Sequence, residues 1–520
     1  MVSYALDTAL SLGATAAAVE VSEEKGTCVT VRNRETESIE HTHDRDFGIT
    51  VYLGKSKAVA SSGDFRKESI LRTVKAALDM ARYTTPDECN GLPDKDRLCT
   101  NPRQLDLFHP WDISIEEQVQ KAVEAEKAAL DVDKRVVNSD GAMVTTTIGS
   151  FILGNTEGFL HGYPFSDHSI DTSVIAEDEN GMQVGSWHTS GVSSMDLLSP
   201  QQVGMIAGQR AVDHLSARGL ATRKCPVVFE APVAKSLFRT FVHAASGSAL
   251  YRKTSFLEGM LDKPIFPDHL SILENPFIPR YWGSAPFDDE GVRPSERLVV
   301  DHGVLSGLFL SSYSARKLGM TTTGNAGGPY NLIFSEAPEA SEKTLSALLS
   351  RMGTGLLVTE LIGQGVNYTT GDFSKGASGF WVENGRIVKA DGPAITAQCF
   401  RVACQDGHMA AVFMKFKDGC KPSMEQIKVD WAAFRGPAQE LQLPSAPKQF
   451  LHYFEEPDRP QTRLDRMLER GMAVSLGRLR EDTQYDYKFV GLSHNTLRGA
   501  AGGAVLLAEL LCANGYIQQV

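Results

Sequence analysis

At 520 residues the chain is too long for one hydrophobic core, and roughly two to four domains are expected. Its apolar content of 42% and charged content of 22% are those of an ordinary globular protein, while a formal net charge of −12 excludes a general nucleic-acid binder, because phosphate contacts need a basic surface. No run of about 18 apolar residues occurs, so neither a transmembrane helix nor a membrane partner is expected.

The opening "MVSYALDTALSLGATAAAVEV" has no basic segment before its apolar stretch and reads as a helix leading into a strand, not as a secretion signal. "CVTVRNRETESIEHTHDRDFGITVYLG" predicts antiparallel strands, with β-branched and aromatic residues broken by polar turns. A helix follows with Ile70, Leu71, Val74, Leu78 and Ala81 on one face, and Pro86 forbids its continuation. Ser114 and Glu117 have capping-box spacing at the start of the next helix. From about 135 to 200 the pattern is again strands, with no internal repeat in the sequence. "CPVVFEAP" is a strand, and the helix after it turns Val233, Leu237, Phe238, Phe241 and Val242 toward a core. Glycine-rich strands and turns dominate from there, with Asn384-Gly385 a strong hairpin signal. Past a turn at Asp391-Gly392-Pro393 the texture changes to strands joined by helices, which sets a boundary near 388–394.

Thirteen histidines are present, yet none stands in an H-E-x-x-H helix. His41 and His43 have strand spacing and suit a solvated strand, and His243 sits alone in an apolar helix, where a half-buried histidine is the ordinary reading. The eight cysteines, Cys28, Cys89, Cys99, Cys225, Cys399, Cys404, Cys420 and Cys512, form no C-x-x-C pair and no metal-ligand spacing. They read as free thiols of a reducing cytoplasm.

Several segments carry a family resemblance: "DFGITVYLG", "RTVKAALDMARYTTPDECNGL", "YRKTSFLEGMLDKPI", "PFDDEGV", "SYSARKLGMTTTGNAGG" and "MGTGLLVTELIGQGVNYTTGDFSKGASGFWVENG". Over residues 1–388 the chain resembles the PmbA/TldE family. The resemblance implies the non-metal half of a TldD/TldE-type metalloprotease acting on extended peptides. Zinc would then belong to a TldD-like partner, which carries an H-E-x-x-x-H helix shortly before an Arg-Lys pair. Counting back from Arg252-Lys253, the equivalent six residues here are Arg239 to Ala244, "RTFVHA". Arginine and alanine cannot replace two imidazole ligands, so no metal is expected in this chain. Family members also continue after "WVENG" for a few dozen residues that are not found here.

A second resemblance begins at "AITAQCFRVACQDGHMAAVF" and continues through "LPSAPKQFLHYFEEPDRPQTRLDR", "GMAVSLGRLRED" and "YDYKFVGLSHNTLRGAAGGAVLLAELL". These resemble the C-terminal part of aspartate-semialdehyde dehydrogenase. That resemblance implies that Arg401 would bind the substrate carboxylate, His408 would be the acid/base, and Asn495 would lie near the nicotinamide of NADP. The same chemistry also needs a cysteine nucleophile and a coenzyme domain, which precede the matched part in that family. Cys399 and Cys404 do not stand in its nucleophile motif and read as core thiols, and "RGAAGG" at 498–503 is by itself no dinucleotide loop.

The expected fold class is α+β: an N-terminal α+β domain and a β-rich C-terminal domain of PmbA/TldD type, then a partial α/β domain of the semialdehyde-dehydrogenase dimerisation type. The expected boundaries are 1–220, 221–388, a junction at 389–393, and 394–520. The expected function is a non-metal subunit of a cytoplasmic, oligomeric TldD/TldE-type protease with a silent dehydrogenase-derived tail. Two alternatives remain open: an NADP-dependent aspartate-semialdehyde dehydrogenase completed by another chain, and a fusion without selected activity.

Overall fold

Long β-strands dominate the first half of the chain in this computed structural model, which describes every residue except 180, 218–219, 221–222, 336–343, 364, 389–407, 415, 417–420, 483–485, 495 and 516–520. The chain divides into two units, residues 1–397 and 398–520. The predicted turn at Asp391-Gly392-Pro393 lies outside the described residues.

The first unit opens with α1 (Val2–Ser11), β1 (Ala16–Arg32), β2 (Glu35–Leu53), β3 (Ser56–Ser62) and α2 (Lys67–Tyr83). After an irregular connection come α3 (Ile115–Leu130), β4 (Val136–Asn155), β5 (Leu160–Asp178), β6 (Gly181–Gly191) and α4 (Pro200–Asp213). These two helix–strand–strand–strand–helix runs build one antiparallel sheet in the order β3-β2-β1-β4-β5-β6. The architecture is therefore a structural repeat about the β1–β4 pair, which the sequence did not reveal. Both helix pairs lie on the same face. Val19, Val21, Phe47, Ile49 and Val51 pack on Ile70 and Val74, while Val29, Val31, Val144 and Ile170 pack on Ala122, Ala125 and Val203.

The β1–β2 turn places Asn33 and Arg34 at φ 52° and 65°, the left-handed conformation a tight hairpin requires. Neither residue is glycine. The turn is held because the fully buried Glu126 of α3 accepts both of its amides, at 2.8 Å from Asn33 N and 2.6 Å from Arg34 N. The strand pattern read from about 135 to 200 resolves into β4, β5 and β6, with β5 running unbroken from Leu160 to Asp178.

The opposite sheet face is covered near one end by the rest of the unit, where Phe151, Leu153, Phe159 and Tyr163 close around Phe287. This remainder comprises β7 (Val227–Phe229), α5 (Ala231–Ala244), α6 (Gly247–Tyr251), β8 (Ile272–Asn275), β9 (Arg297–Asp301), β10 (Val304–Leu305), α7 (Ser312–Lys317), β11 (Asn331–Phe334), α8 (Leu345–Met352), β12 (Gly355–Ile362), β13 (Val366–Asn367), β14 (Asp372–Phe373), β15 (Gly376–Glu383) and β16 (Arg386–Ile387). It forms two four-stranded sheets, β10-β9-β8-β11 and β16-β15-β12-β7. Asn384-Gly385, at φ 50° and 75°, joins β15 to β16 as the sequence predicts. Phe241, Ile272, Val299, Val300, Leu305 and Leu310 make the core beneath α5.

The second unit contains β17 (His408–Met414), α9 (Met424–Ala433), α10 (Pro437–Glu440), β18 (Leu451–Phe454), α11 (Thr462–Asp465), β19 (Val474–Glu481), β20 (Tyr487–Ser493) and α12 (Gly502–Ala513). Its sheet has the order β17-β20-β19-β18, with only β18 and β19 parallel. Ile427, Leu479 and Tyr487 form its core with Trp431 and Phe489 around them. Among the described residues no helix of either unit is long and apolar enough to cross a membrane.

Candidate functional site

Helix α5 and the turns facing it enclose a cleft of about 500 Å³. β7 pairs in parallel with β12 and delivers the chain to α5, whose first turn contains Pro232, a residue suited to a helix start. Phe238, Phe241 and Val242 face the core, and Phe241 meets Phe266 and Phe309 edge-on at 5.4 and 6.3 Å. Arg239 and His243, one turn apart, share the cleft-facing side of the helix and are exposed. The His243 ring lies against Tyr368, with centroids 4.0 Å apart. His243 is thus an exposed cleft residue, not the half-buried histidine the sequence suggested. Ser246 closes the helix by donating to His243 O at 2.7 Å and opens α6 by accepting from Ala249 N.

The facing walls are Tyr251 with Tyr313, whose rings meet edge-on at 5.7 Å, and the turn Asn325–Pro329. Gly327 and Gly328 have φ of 97° and 122°, and a Cβ on Gly327 would come within 2.4 Å of Asp289 Oδ2, so this turn demands glycine. Its shape is fixed from below. Glu274, 1% exposed, accepts from Asn325 Nδ2 at 2.7 Å, Tyr330 N at 3.0 Å and Arg297 Nε at 2.9 Å. Arg297 also donates to Leu308 O and Asn325 Oδ1. Beside it the buried Asp288 accepts from the amides of Glu290, Val292 and Ala326, while burial, with the neighbouring Glu290 charge, pushes its carboxyl up to about 7.

Of the six residues Arg239 to Ala244, Arg239, Val242 and His243 line the cleft while Phe241 and Ala244 are buried in the core, and the six do not fit a zinc ion. Arg239 is cationic, Ala244 has no donor, and His243 is the one imidazole of the set. Among the described residues no three His, Cys, Asp or Glu side chains converge as a metal site would.

In the second unit the sequence-predicted residues are placed only in part. Arg401 and Asn495, with Cys399 and Cys404, lie outside the described residues. The backbone of His408 begins β17 and pairs with Ser493 at the end of β20. Next to it the buried His494 accepts from Thr496 N and Leu497 N through Nδ1, which caps the turn leading into α12. A cleft of about 690 Å³ is lined by Gln439, Ser445, Lys448, Glu469, Arg470 and Val505 among others.

Domain profiles match most of the chain: PmbA/TldA metallopeptidase domain 1 over 17–81, the central domain over 108–215 and the C-terminal domain over 222–402. The metalloprotease PmbA of Escherichia coli O157:H7 is 44% identical over 386 residues, which span 74% of this chain and 85% of that one. The chain belongs to the PmbA/TldD metallopeptidase family. TldE of Thermococcus kodakarensis shares the fold, with a TM-score of 0.64 at 17% identity over 75% of this chain and 88% of that one. The semialdehyde dehydrogenase dimerisation domain also matches this chain, over 361–498, sharing residues 361–402 with the metallopeptidase C-terminal match. Aspartate-semialdehyde dehydrogenase of Saccharomyces cerevisiae is 50% identical over 123 residues, which are 24% of this chain and 34% of that enzyme. The chain thus spans about a third of the dehydrogenase it matches.

The spacing before Arg252-Lys253 marked Arg239 and Ala244 as replacements of two metal ligands, and His243 read as a lone histidine of an apolar helix; the structure sets Arg239 and His243 on the cleft and buries Ala244. Sequence reasoning missed Tyr251, Tyr313 and the Glu274–Arg297–Asn325 network. The run "TTTGNAGGPYN" was a visible sign of an unusual turn, but nothing local linked it to Glu274 some fifty residues earlier.

Proposed function

We propose that this family member is the non-metal subunit of a two-component TldD/TldE-type metalloprotease that acts on extended peptides. The observation that carries the proposal is helix α5, where Arg239 and Ala244 stand at the positions that the two histidines of a zinc-bearing relative's H-E-x-x-x-H would take, and His243 falls on an intervening position. A TldD-like chain would supply the metal and the reacting water, and this subunit would complete the substrate chamber in the cytoplasm. Residues 1–220 and 221–388 would form the protease half. The junction at 389–393 would lead into a dehydrogenase-derived tail, 394–520, whose Arg401, His408 and Asn495 have no cysteine nucleophile or coenzyme domain to work with.

Co-expression with a TldD-like zinc subunit tests this. The expected result is co-purification and hydrolysis of an unfolded peptide that neither chain achieves alone. Stoichiometric zinc in the purified chain by itself would overturn the non-metal assignment. For the tail, the expected result is no NADP reduction with aspartate semialdehyde and phosphate, and turnover in that assay would make the dehydrogenase reading the correct one.

A further inference from the structure

The α5 cleft has a chemical bias that the loss of a metal site does not explain. Among the described residues none of the side chains lining it is a carboxylate, although the whole chain carries a net charge of −12. Its lining instead offers the Arg239 guanidinium, the His243 imidazole, and the hydroxyls of Ser246, Ser248, Tyr251 and Tyr313. Acidic groups do stand just outside this lining. Glu274 accepts from Asn325 Nδ2, Asp288 from Ala326 N and Glu290 from Ser312 N. Asp87 accepts from the Tyr313 hydroxyl at 2.9 Å and pairs with Lys317 at 2.7 Å, and Asp289 lies on the far side of Gly327.

Two further details turn this bias into a binding arrangement. Arg239 is exposed on the cleft and, among the described residues, holds no ion pair. A guanidinium in that state presents its planar fork of donors to whatever enters, and the matching acceptor is a carboxylate. Across the cleft, the Tyr251 hydroxyl oxygen accepts from Arg252 Nε at 3.1 Å, with the Arg252 guanidinium over the Tyr251 ring. The hydroxyl proton is thereby left to donate to a ligand, and the nearby cation strengthens it as a donor.

We propose that this cleft binds a carboxylate of an extended peptide, with Arg239 as the clamp and the Tyr251 hydroxyl as a second donor. The proposal rests on the reading of this chain as a peptide-handling subunit and gives that subunit a task of its own: it holds a charged group of the substrate while cleavage takes place on the partner.

The test is equilibrium binding of labelled alanine-rich hexapeptides to the purified full-length chain. Three peptides separate the sources of the carboxylate: a free C-terminal acid, its C-terminal amide, and an amide with one internal glutamate. At least one carboxylate-bearing peptide should bind about tenfold more tightly than the plain amide, the scale of one well-formed charged hydrogen-bonded contact. A preference for the free acid assigns the peptide α-carboxylate, and a preference for the glutamate peptide assigns a side chain. Arg239→Gln should abolish the preference, Arg239→Lys should retain part of it, and Tyr251→Phe should reduce it. As Arg239 is exposed, its variants should keep the wild-type melting midpoint. Equal binding of all three peptides, no binding of any, or a full preference in Arg239→Gln would overturn the proposal. Binding is read on this chain alone, so such a failure is distinct from a failure to associate with a zinc-bearing subunit.

Discussion

Glu274 is the side chain on which the shape of the α5 cleft depends. Its two oxygens serve three donors from different parts of the chain, Arg297 Nε, Asn325 Nδ2 and Tyr330 N. Glu274→Gln keeps the volume but turns an amide NH₂ toward donors on one side and leaves the Arg297 charge without its counter-charge. Breaking a buried pair in this way costs about 3 kcal/mol. The expected outcome is a lower melting midpoint together with faster hydrogen exchange in residues 325–330. Asp288 gives a second prediction at the same scale. Burial raises its carboxyl pKa to about 7, so between about pH 4 and pH 7 the folded state holds a proton that the unfolded state has released. Its contribution to stability therefore falls as pH rises through that window. Asp288→Asn removes the titration and should flatten the dependence of the melting midpoint on pH between 4 and 7. The mean stability should fall as well, because an amide cannot accept all three of the backbone bonds made by Asp288.

At the scale of elements, the two halves of the large sheet solve the same packing problem with different side chains. In the first half α2 brings Ile70, Val74 and Leu78 to the strands. In the second half α3 and α4 approach through Ala125, Ala129, Gly204 and Gly208, so closely that a Cβ on Gly204 would fall 2.1 Å from Ala125 O. Gly204→Ala should therefore force the helices apart and cost about 3 kcal/mol, the upper part of the range for overpacking, in spite of alanine's better helix propensity. A lowered melting midpoint would show it, and a gain in stability would mean the helices separate without loss. This difference in side-chain size is why the repeat was hidden. Topology recurs, but the large residues of one half face small ones in the other, and no residue pattern is shared. Helix α2 was legible from apolar spacing and α3 from its capping box, which forms as expected with Ser114 and Glu117. Helix α4 escaped notice because glycines interrupt its apolar face, although Ser199, Pro200 and Gln202 announce its start as clearly. The sequence showed that Arg239 and Ala244 cannot hold a metal, but the cleft itself was not legible, because its walls are side chains far apart in sequence.

On the scale of the whole molecule, the tail adds apolar surface that the protease half does not need. In α12, Leu506 and Leu510 pack against Leu443 and Met472. Val505 and Leu507 on the same helix remain 52% and 57% exposed. The two flank the buried Leu506 about 100° to either side, so the helix leaves aliphatic surface on both flanks, which favours self-association. The short strand β16 forms the end of its sheet, and among the described residues no strand pairs with its outer edge. The two features predict different responses. If the helix surface drives association, Val505→Glu combined with Leu507→Lys should shift the chain toward smaller species in size-exclusion chromatography with light scattering, and its melting midpoint should not change, because neither side chain belongs to the core. If the β16 edge drives it, that double variant should associate as the parent does, while a lysine at Ile387, half-buried at the edge, should disperse it at some cost in stability. A parent chain that stays monodisperse at high concentration would remove both explanations and show that the dehydrogenase-like tail is accommodated without exposing an adhesive surface.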